Sequence, residues 1–299
     1  MTSVKILTPI FFLFFLTKVN AQDSDLMKSL ESDSAKTVYT TATFKTTRLI
    51  NGHSVEITKP GILDVRIDHR FSYFSGGAYE FFGLDHSNVR IGFDYGLCNH
   101  VMIGIGHTAN DKTYDAFFKW KIVGQSSGAI RMPVTIDFVP TFAICTLRPD
   151  SPNVKYNFSD RVSLSNALII GRKFSENLSL QIMPTFVIKD KILYTKKYDN
   201  CFAIGIGGRQ KISKHTSFNI EYYYQLPSTQ EPGSKNILAV GVDIETGGHV
   251  FQVHFTNAQS MIENTFIPGT TGNFFKGDIG MGFNLSRVFN VSKKSKGAW

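Results

Sequence analysis

Past residue 21 the sequence holds no run of the roughly 18–20 successive apolar residues that a membrane-crossing helix requires, so helical spans are excluded. Cysteine is scarce. Cys98, Cys145 and Cys201 are odd in number, and no two of them stand in a C-x-x-C spacing. That excludes a disulfide framework and argues against a zinc or haem site built on cysteine; each is expected to pack as a small apolar residue. Charge is thin as well, at 19% of residues, with a formal net charge of +8. What is plentiful is Phe, at 26, beside 11 Tyr and 25 Gly. This composition suits β-structure with tight turns and an aromatic girdle.

The one greasy run lies at the start. Lys5 supplies a positive flank, Ile6 to Leu16 is apolar through FFLFFL, and Val19-Asn20-Ala21 offers small residues for a peptidase. Residues 1–21 therefore read as a secretory signal cleaved after Ala21. Cleavage removes Lys5 and Lys18 and lowers the charge to +6. The run is too short to anchor the chain, and no Cys near the cleavage point invites a lipid anchor.

Downstream, apolar and polar residues alternate with period two. Leu63, Val65, Ile67, His69 and Phe71 fall on one parity, and Asp64, Arg66, Asp68 and Arg70 on the other. Successive side chains of a strand take opposite faces, so one face is greasy and the other carries four ionisable groups. Twelve candidate strands follow, at 62–72, 87–97, 100–107, 112–123, 131–147, 161–173, 177–188, 200–211, 216–226, 236–246, 249–257 and 277–289. Most match the roughly 9–11 residues of a tilted transmembrane strand. Short gaps made of turn formers, such as Cys98-Asn99 and Gly247-Gly248, alternate with longer ones such as 148–160 and 258–276; the gap at 108–111 breaks that rhythm. The fold expected is all-β: a closed antiparallel transmembrane barrel of about 12 strands, with short periplasmic turns and longer extracellular loops. Lys or Arg on the lipid face near the midplane costs about 2–4 kcal/mol, which keeps charge to one parity. Strands 161–173 and 177–188 alternate less cleanly and are expected to pack against a plug or a neighbour.

Residues 22–40 are polar and read as a periplasmic leader. Segment 41–58 mixes Phe44, Leu49, Ile50 and Val55 with Lys45, Arg48 and Glu56. It reads as a structured periplasmic extension or extra strand, or else as a plug in the barrel mouth. The barrel itself is expected over 59–289 and a basic periplasmic tail over 290–299. Phe289 stands where outer-membrane barrels carry the terminal aromatic that the insertion machinery reads, although the tail departs from the usual abrupt ending.

No motif carries chemistry. Gly104, Gly106, Gly205, Gly207 and Gly208 sit inside strands rather than between a strand and a helix, so they make no phosphate loop; they are expected to relieve crowding in the lumen. The eight His form no H-x-x-x-H or H-E-x-x-H pair, and neither a metal nor another cofactor is expected. His86-Ser87-Asn88 are sequence neighbours, which does not place a serine against its base as nucleophilic catalysis requires. A surface hydrolase is the least favoured reading, and no enzyme is expected.

The functional candidates are charges on the inward parity: Asp64, Arg66, Asp68, Arg70, Arg90, Asp94, Asp115, Lys119, Lys121, Arg209, Lys211, Glu221, Asp243 and Glu245. Such side chains set selectivity when they ring a pore, which predicts a narrow passive channel for small polar solutes. The alternative is that they pair and fill a structural or docking barrel. Expected partners are outer-membrane lipid, the barrel-insertion machinery and a periplasmic protein at 41–58, with no nucleic acid.

Four segments, TFKTTRLINGHSVE (43–56), GGAYEFFGLDHSNVRIGFDYGL (76–97), IGIGHTANDKTYDAFFKWK (103–121) and GFNLSRVF (282–289), resemble a family of secreted β-barrel proteins of unknown function, domain of unknown function 5777. The resemblance spans roughly 40–290. It implies an outer-membrane barrel of a Gram-negative bacterium and brings no reaction, substrate or catalytic residue.

Overall fold

The period-two code becomes a wall in the computed structural model, which describes residues 36–149, 155–194 and 200–292. Twelve strands form it: β1 (Ile62–Tyr73), β2 (Ser87–Cys98), β3 (Val101–Thr108), β4 (Thr113–Val123), β5 (Thr135–Cys145), β6 (Val162–Lys173), β7 (Leu178–Ile188), β8 (Asn200–Lys211), β9 (Thr216–Gln225), β10 (Ile237–Thr246), β11 (His249–Thr256) and β12 (Gly280–Asn290). Each pairs antiparallel with the next, and β12 pairs with β1, so the sheet closes without an edge. The signal expected over 1–21 and the tail from 293 lie outside the described residues.

Two ends are distinct. Tight turns join β2 to β3, β6 to β7, β8 to β9 and β10 to β11 at the end where β1 begins and β12 finishes. Longer connections lie at the other end, the loop end. The connection 109–112 is the exception there, a tight turn in which Lys112 takes a left-handed φ of 46°.

The strand expected at 131–147 is shorter than its pattern. Pro133 has no N–H to give a ladder, and Ser126 and Met132 instead exchange backbone bonds of 3.0 and 3.1 Å. This small hairpin leaves the barrel and pairs Ser126–Ser127 with Val38–Tyr39. At the other end, the Cys145 carbonyl accepts from Arg161 at 3.1 Å.

The wall inverts the usual burial. Apolar residues such as Ile91, Phe118, Ile182, Ile206 and Phe251 are exposed on the outer face, while Arg66, Arg70, Arg90 and Lys119 are among the most buried large side chains. Ile182, midway along β7, tests that inversion. Ile182→Arg is expected to cost about 2–4 kcal/mol in denaturant titrations of the protein in lipid vesicles. Unchanged stability would show that this face does not meet hydrocarbon.

The interior is also uneven. The inner faces of β6 and β7 carry Ala167, Ile169, Met183 and Val187, joined by Tyr223 of β9 in one apolar cluster. Their weak alternation follows from this: the inner parity here meets a dry filling, and apolar residues serve both faces. Strands β1, β2, β4 and β10 to β12 line the opposite side chiefly with charge and amide groups, while β3 turns Met102, Gly104, Gly106 and Thr108 inward.

Candidate functional site

Residues 43–58 fill the lumen from the turn end. Asn51-Gly52 is a hairpin signal, and the chain reverses there. Ser54 N–H donates to Thr47 O at 3.0 Å, Leu49 N–H to Gly52 O at 2.8 Å, and Arg48 bridges His53. Residues 47–55 are all buried. Leu49 and Val55 join the apolar cluster of β6, β7 and β9. Leu49 enters above Gly207, where an added Cβ would strike its Cδ2; this close approach is why β8 carries glycine there.

On its polar side the hairpin is held by its backbone. The Glu221 carboxylate of β9 accepts the N–H groups of Ile50, Asn51 and Gly52 at 3.1–3.3 Å. Lys119 donates to the carbonyls of Thr47 and Glu56 at 3.0 and 2.8 Å. Gln252 donates to Leu49 O at 2.7 Å, Asn284 to Ile50 O at 2.9 Å and Gln181 to His53 O at 2.9 Å. Nearer the mouth Arg209 donates to Ala42 O and Thr43 O, and Lys45 pairs with Glu245. The wall therefore supplies donors and acceptors that would otherwise come from water.

A second element closes the loop end. The connection 257–279 turns inward and forms a short helix, Glu263–Gly269, whose residues 263–268 are buried. Phe266 and Ile267 enter the apolar cluster, with Phe266 edge-on to Tyr223 at 5.2 Å. The two fillings touch: Glu263 accepts the His53 N–H at 3.0 Å and faces Arg48 at 3.6 Å. Outside the membrane-spanning wall, the Asp111 carboxylate accepts from Ser260 at 3.0 Å. Burial pushes that carboxyl above its ordinary range, partly offset by the Ser260 hydroxyl. Burial raises Asp190 as well, against the N–H groups of Leu193 and Ile192 that it accepts.

Of the remaining inward charges, four pair with one another and four more bond neutral side chains. Arg90 forks onto Asp115 at 2.9 and 2.6 Å and reaches Asp68 at 3.4 Å; Arg66 meets Asp68 at 3.1 Å. Gly106 makes room for Arg90, since a Cβ there would strike the guanidinium. Arg70 donates to Asn284 and Asn51, Asp64 accepts from Ser286, Asp94 from Thr47 and Asp243 from Gln252. Lys121 and Lys211 are half-buried near the turn end. Sequence reasoning missed Asp137 and Glu263 as interior charges and left Arg48 in a segment with two readings, extension or plug. It also placed 258–276 as an outer loop, although Met261, Ile262, Phe266 and Ile267 are apolar and Glu263 is the only charge between 257 and 275.

Two cavities flank the filled section. One of about 370 Å³ lies at the turn end, between the hairpin stem and β1, β10, β11 and β12. One of about 270 Å³ lies at the loop end, bounded by Asp111, Tyr194, Glu231, Ser260 and Thr265. Among the described residues, no group of three or more His, Cys, Asp or Glu is placed to hold a metal ion.

A family model described as a membrane bound beta barrel domain (DUF5777) matches residues 44–289, a span that includes the hairpin. No curated protein matches the chain. Among solved structures, the NanC porin is 10% identical at a TM-score of 0.47, covering 76% of this chain and 98% of its own. An outer membrane channel of Pseudomonas putida F1, COG4313, is 10% identical at 0.45, covering 82% and 100%. The KdgM porin is 9% identical at 0.45, covering 76% and 99%.

Proposed function

The chain belongs to the DUF5777 family of membrane-bound β-barrels, and from that premise we propose that it is an outer-membrane channel for small polar solutes, shut by a removable hairpin. Short turns face the periplasm and long connections the exterior, so the hairpin stands on the periplasmic side. The observation that carries this reading is how the hairpin is held. Both its arms pass through one mouth, and its charged flank is bound through backbone groups, whose partners water can replace. Twelve strands enclose more room than their own side chains fill, and here a separable segment takes that room. With 47–55 buried, a periplasmic partner reaches little of the segment until it leaves.

The test is planar-bilayer conductance. The full chain is expected to be silent apart from brief openings. Removing residues 43–56 and replacing 260–272 with a short linker is expected to give steady conductance, with either change alone giving flicker. A folded double variant that stays silent would favour a filled structural barrel.

A further inference from the structure

The lipid-facing side of the wall is not uniform. An apolar groove of about 650 Å³ is bounded by Phe93, Ile105, His107, Tyr114, Ala116 and Phe142. Its origin is local. Ala116 points outward between the larger Tyr114 and Phe118 on β4, and its cross-strand partners are Ile105 of β3 and Phe142 of β5. One small residue among bulky ones leaves a trough. His107 stacks on Tyr114 at 4.3 Å and walls its upper end. Apart from Phe93, which stands at mid-height, the lining residues lie in the half of the wall nearest the loops.

Hydrocarbon fills such a trough in any bilayer, and lipid tails are as apolar as the groove, so the trough alone selects nothing. Selection requires charge beyond the lining, and the turn and loop above the groove carry it. Two residues above Tyr114, Lys112 occupies the left-handed φ of 46°, where Gly or Asn would be less strained. An unusual backbone held by a long cation invites a role for that cation. The Lys112 carbonyl accepts the Thr146 N–H at 2.9 Å, which ties the turn to the loop carrying exposed Arg148. Neither Lys112 nor Arg148 has an ion pair among the described residues.

We propose that this groove is a binding site for one lipid of net negative charge, carried on phosphate as in lipid A, in the leaflet at the loop end. An acyl chain lies over Ala116, and the phosphate meets Lys112 and Arg148. The site is independent of whether the lumen conducts; it rests on the wall being in a membrane.

Native mass spectrometry of the full chain in detergent, titrated with lipid A or with zwitterionic phosphatidylethanolamine, tests it. The wild type is expected to retain one lipid A and to hold phosphatidylethanolamine more weakly. Ala116→Phe fills the trough without adding polarity and is expected to abolish retention. Lys112→Asn tolerates the left-handed backbone, so folding is not at stake, and binding of lipid A is expected to weaken roughly fivefold, with a similar loss for Arg148→Asn. Equal retention of the two lipids by the wild type, or retention unchanged by all three substitutions, would overturn the proposal. So would loss of a dimer on Ala116→Phe, which would assign the groove to a second copy of the chain.

Discussion

Replacing Glu221 by alanine is expected to set the hairpin loose while the barrel stays closed on itself. The carboxylate accepts three consecutive N–H groups at the tip. A buried donor left unpaired costs about 1–3 kcal/mol. Three together cost about 3–9 kcal/mol, so the tip is expected to leave rather than remain unsatisfied. Amide exchange at residues 49–54 is expected to accelerate by roughly a hundredfold or more, since 1.4 kcal/mol is about tenfold. Exchange in β1 to β12 should hardly change, and brief openings in bilayers should become frequent. Glu221→Gln keeps one acceptor and should fall between. Protection of 49–54 equal to wild type in Glu221→Ala would show that the apolar flank alone holds the hairpin.

The second large effect is on the wall. Arg90→Ala removes the cation that forks onto Asp115 and touches Asp68, leaving both carboxylates buried with less compensation. Breaking such a pair costs about 3–5 kcal/mol. Denaturant titration of the folded barrel is expected to show that loss. Replacing both members of the fork, Arg90→Met with Asp115→Leu, is expected to recover most of it, because removing a buried pair together is often near neutral. A double variant as unstable as Arg90→Ala would place the energy in packing against Gly92 and Gly106 rather than in charge.

The wall was legible because two media impose opposite demands on adjacent positions. Leu63 to Phe71 shows this without any help from tertiary structure, and the twelve strands and their closure follow from repeating it. The filling was legible only as the less favoured of two readings of 41–58. In the lumen, segment 43–56 meets Lys119, Glu221, Gln252 and Asn284 where an exposed segment would meet water, so its composition is the same in either place. Phe117, the lone large apolar residue on the inner parity of β4, marked the filling most openly. It packs at 4.6 Å on His53, with the Arg48 guanidinium 5.7 Å from its ring. The connection 258–276 looked like an outer loop because of its length and Pro268. Its shortage of charge was the contrary signal. The fourteen inward charges could be placed on a face by parity, but their partners could not be read. Glu221 binds a turn about 170 residues earlier in the chain, and no local pattern encodes that.

The meeting of Arg48 and His53 with Glu263 has a consequence for leakage. On the proposed channel reading, the hairpin and the 257–279 connection act as two doors in series, one entering from the N-terminal side and one slung between β11 and β12. A continuous path exists only while both stand open, so for independent doors its share of time is the product of two small fractions. Because the doors also grip each other, each steadies its fellow when shut. Such an airlock would stay tight to stray solutes and would yield once either door was drawn aside and the other lost its handhold.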